Sequence, residues 1–154
     1  MIQNDKKYLK TVKNIENIDF SCQKCSNCCR IDPGAVFLTE EDVKNIAKNI
    51  GTTIEKFLKE CCRSLEKDGR FVASLKEKPN YDCIFWNNGC LIYNDRPLQC
   101  RTYPFWPFLV ENKKIMDKER KRCKGIGIKG SLTFSEKLDY YTKEKNAIYY
   151  EYKN

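Results

Sequence analysis

The stretch Cys22-Gln-Lys-Cys25-Ser-Asn-Cys28-Cys29 places four thiols within eight residues. Thiolate is the soft ligand that zinc and iron–sulfur clusters prefer, so thiols at this density read first as metal ligands. Cys83, Cys90 and Cys100 are spaced through a second dense stretch at 81–108, and Cys123 follows the basic run Lys118-Glu-Arg-Lys-Arg122. The sequence has no histidine. That removes zinc sites built with imidazole, Rieske-type ligation, and Cys–His or Ser–His–Asp catalysis. Zinc, if bound, would most simply take four thiolates, which is usually a closed structural arrangement.

Ten cysteines in 154 residues need an explanation. Cys61 and Cys62 have an ordinary one: with Ile54, Phe57, Leu58 and Leu65 they fit an apolar helical stripe, where a free cysteine acts as a small hydrophobe. Eight then remain, enough for two sets of four. Cys22, Cys25 and Cys28 are spaced like the opening of a bacterial ferredoxin run, but the fourth cysteine follows at once and no proline comes after it. Adjacent Cys28 and Cys29 would commonly point apart, to different sites or with one of them no ligand. The partition stays open. A radical-SAM spacing is absent, and Cys22-x-x-Cys25 lacks the βαβ context of a thioredoxin-like pair.

A disulfide framework is the competing use of so many cysteines. The N-terminal residues carry charge through residue 16 and contain no apolar core of signal-peptide length, and no stretch approaches a membrane span. A cytoplasmic chain with reduced thiols is therefore expected, and with it metal rather than disulfides. The formal charge of +8 also changes meaning if eight thiolates bind two divalent centres, falling to about +4. Part of the basicity would then balance an anionic site, and nucleic-acid binding through residues 111–124 becomes a secondary role at best.

The elements around these thiols are predicted as follows. Tyr8, Val12, Ile15 and Ile18 recur at helical spacing. Val36–Leu38 reads as a short extended lead-in. Thr39-Glu-Glu-Asp42 starts a helix over about 39–50 that Gly51 stops, and Thr52-Thr-Ile-Glu55 reads as a second capping box opening a helix over 53–67. Asp68-Gly69 would end that helix before a short strand at 71–75. Asn88-Gly89 marks a tight turn, and the prolines at 97–107 exclude a long helix there. Lys and Arg at 111–129 read as a solvated face. The glycines of Cys123-Lys-Gly125-Ile-Gly127-Ile-Lys-Gly130 let backbone come close to something, a cluster's sulfurs among the candidates. Thr133-Phe-Ser-Glu136 caps a last helix, about 135–151.

Phe20-x-Cys22-x-x-Cys25-x-x-Cys28-Cys29-Arg30, then Pro33-Gly34-x-Val36-x-Leu38-Thr39, then Cys83…Cys90-x-Ile92-Tyr93-x-x-Arg96-Pro97-x-x-Cys100-Arg101-x-Tyr103-Pro104-Phe105 resembles the YkgJ-like cysteine-cluster family. The similarity runs over about residues 20–130. It departs at Ser26, where the family often has glycine, and at Cys61-Cys62. The resemblance implies a zinc- or iron-chelating domain of a cytoplasmic bacterial protein, with Cys22, Cys25, Cys28, Cys29, Cys83, Cys90, Cys100 and Cys123 as ligands. It brings no settled reaction beyond an iron–sulfur oxidoreductase label. Arg96 and Arg101 would either donate to sulfur or pair with Asp95 or Asp82.

These readings combine into a small α+β, mainly α, fold. It is expected as a single metal-stabilised domain over 1–154, with a core at about 20–130. Three functions compete. One is an iron–sulfur protein, its cluster of the four-iron type or another, acting in redox chemistry with a partner protein. The others are a zinc-bound structural or interaction module, and a protein of metal storage, delivery or sensing.

Overall fold

A computed structural model describes residues 2–30 and 32–154, and only the backbone of residues 2–4. The fold is α+β and mainly α. In chain order its elements are α1 (Ile2–Glu16), α2 (Glu40–Asn49), α3 (Ile54–Cys61), β1 (Cys62–Lys67), β2 (Arg70–Leu75), a 3-10 turn at Tyr93–Asp95, α4 (Leu98–Thr102), α5 (Pro107–Val110), α6 (Lys113–Arg122) and α7 (Phe134–Lys145). No helix among the described residues is long and apolar enough to cross a membrane. The chain forms two compact units, and each draws on separate segments: Met1–Cys25 with Thr102–Asn146, and Ser26–Arg101 with Ala147–Asn154.

The first unit packs α1, α5, α6 and α7 around Ile15, Ile18, Phe105, Leu109, Val110, Met116, Ile126 and Tyr141. Of the residues expected to line α1, Ile15 and Ile18 are buried, whereas Tyr8 is exposed. The predicted capping box of α7 is present: the Thr133 hydroxyl accepts from Glu136 N, and the Glu136 carboxylate accepts from Thr133 N at 2.7 Å. α7 ends at Lys145 and not near 151, because Asn146 caps it and the tyrosine-rich residues beyond it extend. The basic run forms α6, which the sequence reading left without structure. Asn112 caps it, and Met116 is its one buried side chain. Glu111, just before α6, accepts from the Tyr141 hydroxyl at 2.6 Å and pairs with Lys7 at 3.1 Å.

In the second unit α2 and α3 cover a β-hairpin, with Leu38, Val43, Ile46, Phe57, Ala73, Leu75, Phe85 and Ile92 in the core. The helix expected over 53–67 is cut at Cys61. Residues 62–67 instead form β1, antiparallel to β2, with Lys67 opposite Arg70 and Cys62 opposite Leu75. The reason lies in Asp68-Gly69. Both adopt positive φ, 52° and 77°, which makes a two-residue hairpin turn rather than a helix stop. The cap of α3 is Thr53, whose hydroxyl accepts from Lys56 N, so no box with Glu55 forms. The other edge of β2 is paired twice: Leu38 N donates to Ala73 O at 3.1 Å, and Ala73 N donates to Tyr150 O at 2.8 Å. The tyrosines expected in a terminal helix thus help complete this sheet.

Asp42 ties the start of α2 to α4. It is 3% exposed, and its carboxylate accepts from Thr39 N at 2.9 Å, closing the capping box of α2. It also accepts from Leu98 N at 3.0 Å and lies 3.7 Å from the Arg101 guanidinium. Replacing it removes the acceptor of two part-buried amides and the partner of Arg101. Asp42→Ala is expected to cost about 3 kcal/mol in urea unfolding; a loss below about 0.5 kcal/mol, typical of surface changes, would refute the assignment.

Acid sensitivity should come in part from Glu111. The bond from the Tyr141 hydroxyl, and then Lys7, hold its carboxyl below the usual range, against an opposing effect of burial. A lowered folded value adds stability above the unfolded value of about 4.3, and that stability is lost as pH falls through the folded value. Glu111→Gln should therefore flatten the fall in stability below about pH 4.5. Parallel acid titrations of both proteins would disprove this.

Candidate metal centre

Every cysteine has a free thiol. Cys22, Cys25 and Cys123 lie in the first unit, and Cys28, Cys29, Cys83, Cys90 and Cys100 in the second. Cys61 and Cys62 belong to the second unit's core, where burial pushes the Cys62 thiol up to about 12. That is the small-hydrophobe role read from the sequence, although they sit at a helix–strand junction and not along one helix.

Four thiols of the second unit come within electrostatic reach of one another. Desolvation first, and then neighbouring thiolates, raise the proton affinities of three of them: Cys83 to about 11 with Cys90 and Cys28 beside it, Cys90 upward beside Cys28, and Cys100 well up beside Cys83, Cys28 and Cys90. Arg96 opposes this at Cys90 and Cys100, as Lys78 does at Cys83. The backbone explains how distant segments meet. Cys29 N donates to Ser26 O at 2.9 Å in a tight turn, and Cys29 O accepts from Cys83 N at 2.7 Å. Asn88 and Gly89 then reverse the chain with positive φ, so that Cys90 returns to bridge Trp86. Cys100 lies on α4, whose first turn is fixed by Asp42.

Cys28 and Cys29 do not point apart. Their Sγ atoms are 3.7 Å from each other. With a metal–sulfur bond of about 2.3 Å, a tetrahedral shell sets its sulfurs about 3.8 Å apart, so this pair has the spacing of one edge. Among the described residues, no three cysteine or carboxylate side chains converge on a point that would hold a single ion. The donors are nonetheless of one chemistry, all soft sulfur, and suit zinc or iron.

In the first unit, glycines set the approach to Cys22. A Cβ on Gly125 would run into Ser21 O, and one on Gly130 into Phe20 O. Ser21 N donates to Gly125 O at 3.1 Å and Gly127 N to Asp19 O at 2.7 Å, around an antiparallel bridge of Phe20 with Ile126. Cys22 follows that bridge by two residues and Cys123 precedes it by three, so both leave the same end of the pairing. The glycines are thus spent on backbone leading into the cysteines rather than on sulfur itself. Cys123 also neighbours the Tyr103 hydroxyl, which donates to Glu119 at 2.6 Å; burial first, then Glu119 and Cys123, hold that phenol far above its usual range.

The model of a family named CxxCxxCC and described as "Putative zinc- or iron-chelating domain" matches residues 21–124. The chain belongs to this family. No solved structure matches it. The motif cysteines fall at the turn of 26–29 and in the stretch between the Phe20 bridge and that turn. Ser26 has φ of 64°, in the left-handed region where glycine is unstrained. Arg96 stacks on the Tyr93 ring at 3.9 Å, and Arg101 pairs with Asp42; Asp82 pairs instead with Arg30, at 3.1 Å. The sequence reading had no signal for that Arg30–Asp82 contact, which joins residues 52 apart.

Gly125→Ala should lower the unfolding midpoint of the metal-free protein by the equivalent of about 2 kcal/mol, since backbone must move to admit the methyl. Gly34→Ala is the control: its added Cβ meets nothing within 4 Å. Equal midpoints for the two variants would contradict the close-approach account.

Proposed function

We propose that this CxxCxxCC domain holds an iron–sulfur cluster and serves electron transfer or other redox chemistry with a partner protein. The observation that carries the proposal is the gathering of Cys28, Cys83, Cys90 and Cys100, from two separate stretches, within one another's electrostatic reach. These four would ligate one centre, with Cys29 at its edge, and Cys22, Cys25 and Cys123 would supply ligands in the first unit. A bound cluster would supply one-electron chemistry at negative to positive potentials set by its surroundings. The chain's own contribution is to hold the sulfurs and limit water. Phe85 and Ile92, which flank Cys83 and Cys90, are buried in the core, and Arg96 offsets thiolate charge at Cys90 and Cys100. Ten free thiols suit a reducing cytoplasm.

A zinc-bound structural module is the second reading, favoured by the 3.7 Å spacing of Cys28 and Cys29 Sγ. Exposed Cys22 and Cys28 would also suit exchange of metal in storage, delivery or sensing.

Iron, acid-labile sulfide and zinc per chain, with a visible spectrum on protein purified anaerobically, separate these readings. Iron with matching sulfide and a coloured protein is expected. Colourless protein carrying zinc would move the assignment to the structural module, and metal-free protein would overturn both. Cys100→Ser should lower the metal content, whereas Cys61→Ser should leave it unchanged.

A further inference from the structure

We propose that the indole N–H of Trp86 donates a hydrogen bond to a metal-bound cysteine sulfur, making Trp86 a positioning residue of the thiolate centre; the inference rests on the reading given above. Trp86 Nε1 is shut off from solvent and has no acceptor among the described residues. A buried donor without an acceptor is costly, and such atoms commonly mark the place of an unaccounted partner. The surroundings of Trp86 say which partner.

Trp86 stands between two of the gathered cysteines. Its amide donates to Cys83 O at 2.8 Å, and its backbone bridges Cys90. Its ring is covered by the Arg30 guanidinium at 3.8 Å, and Arg30 directly follows Cys28 and Cys29. Arg30 cannot swing away without cost, because its Nε is held by buried Asp82 at 3.1 Å. The Trp86 carbonyl is anchored as well, accepting from Lys78 Nζ at 2.6 Å. The indole is therefore fixed among the segments that bear Cys28, Cys29, Cys83 and Cys90.

Neutral thiol sulfur is a weak acceptor, while a metal-bound thiolate keeps lone pairs and negative charge. Donation to such a sulfur is how outer residues orient ligands and tune a centre. Loading would thus satisfy Trp86 Nε1 once a ligand sulfur settles against it. The other buried donor without an acceptor among the described residues, Arg63 Nε, is a poorer candidate: its guanidinium is already engaged with Glu77 and Gly34.

The test uses zinc(II) as the probe on the full-length protein, prepared metal-free under anaerobic conditions. Trp86→Phe keeps a ring beneath Arg30 and removes only the N–H. Trp106→Phe is the control, since Trp106 packs on Tyr103 and Phe108 in the other unit. Chelator competition should show zinc affinity about ten-fold weaker for Trp86→Phe and unchanged for Trp106→Phe. In ¹⁵N spectra of the wild type, one of the two indole resonances should shift and become slow to exchange on loading, and Trp86→Phe should lack it. Unchanged affinity together with an unmoved Trp86 resonance would overturn the inference while leaving the thiolate centre standing. Wild type that takes up no zinc would overturn the inference together with a thiolate centre that accepts zinc, and iron analysis of the native protein would still judge the cluster reading.

Discussion

Sulfur atoms drawn from distant parts of a chain repel one another once ionised and lose hydration once buried. The second unit accepts both costs. Its thiols at 83, 90 and 100 are driven toward the protonated form by desolvation and by neighbouring thiolates, Cys28 among them. Much of the unit's local architecture serves this gathering: the turn at 26–29, the backbone bond from Cys83 to Cys29, the reversal at Asn88-Gly89, and α4 held on Asp42. A cation that displaced these protons would relieve repulsion and desolvation together, and metal binding and folding would then be one equilibrium.

The same logic explains the division of labour among the aromatic residues. Those at 103, 105 and 106 fill or border the first unit's core, and Phe85 stacks against Phe57 in the second. They do ordinary packing, and water exclusion near the cysteines is a by-product. Trp86 differs in carrying a polar edge with nothing to bond, and Arg30 differs in spending its charge on a ring and on a buried carboxylate.

What could be read from the sequence was chemistry and local punctuation. Cysteine spacing identified the family, and Thr39 and Thr133 announced helix starts that the structure contains. Failures came where one signal served two structures. Asp68-Gly69 stops a helix or turns a hairpin, and only pairing of 62–67 with 70–75 decides between them. α6 was hidden because a single buried methionine leaves no apolar period to detect. The meeting of Arg30 with Asp82 and Trp86 depends on tertiary placement and has no local signature.

The interleaving of segments bears on the order in which the molecule can be made. The outer edge of β2 receives residues 36–38 soon after it is synthesised, but its remaining length is paired by residues 150–152. Every thiol of the second unit has left the ribosome well before that edge is covered. A nascent chain would therefore carry all of this unit's cysteines beside an open strand, and chelation at that stage would act as a clasp, holding the hairpin and its loops in register until residues 150–152 arrive.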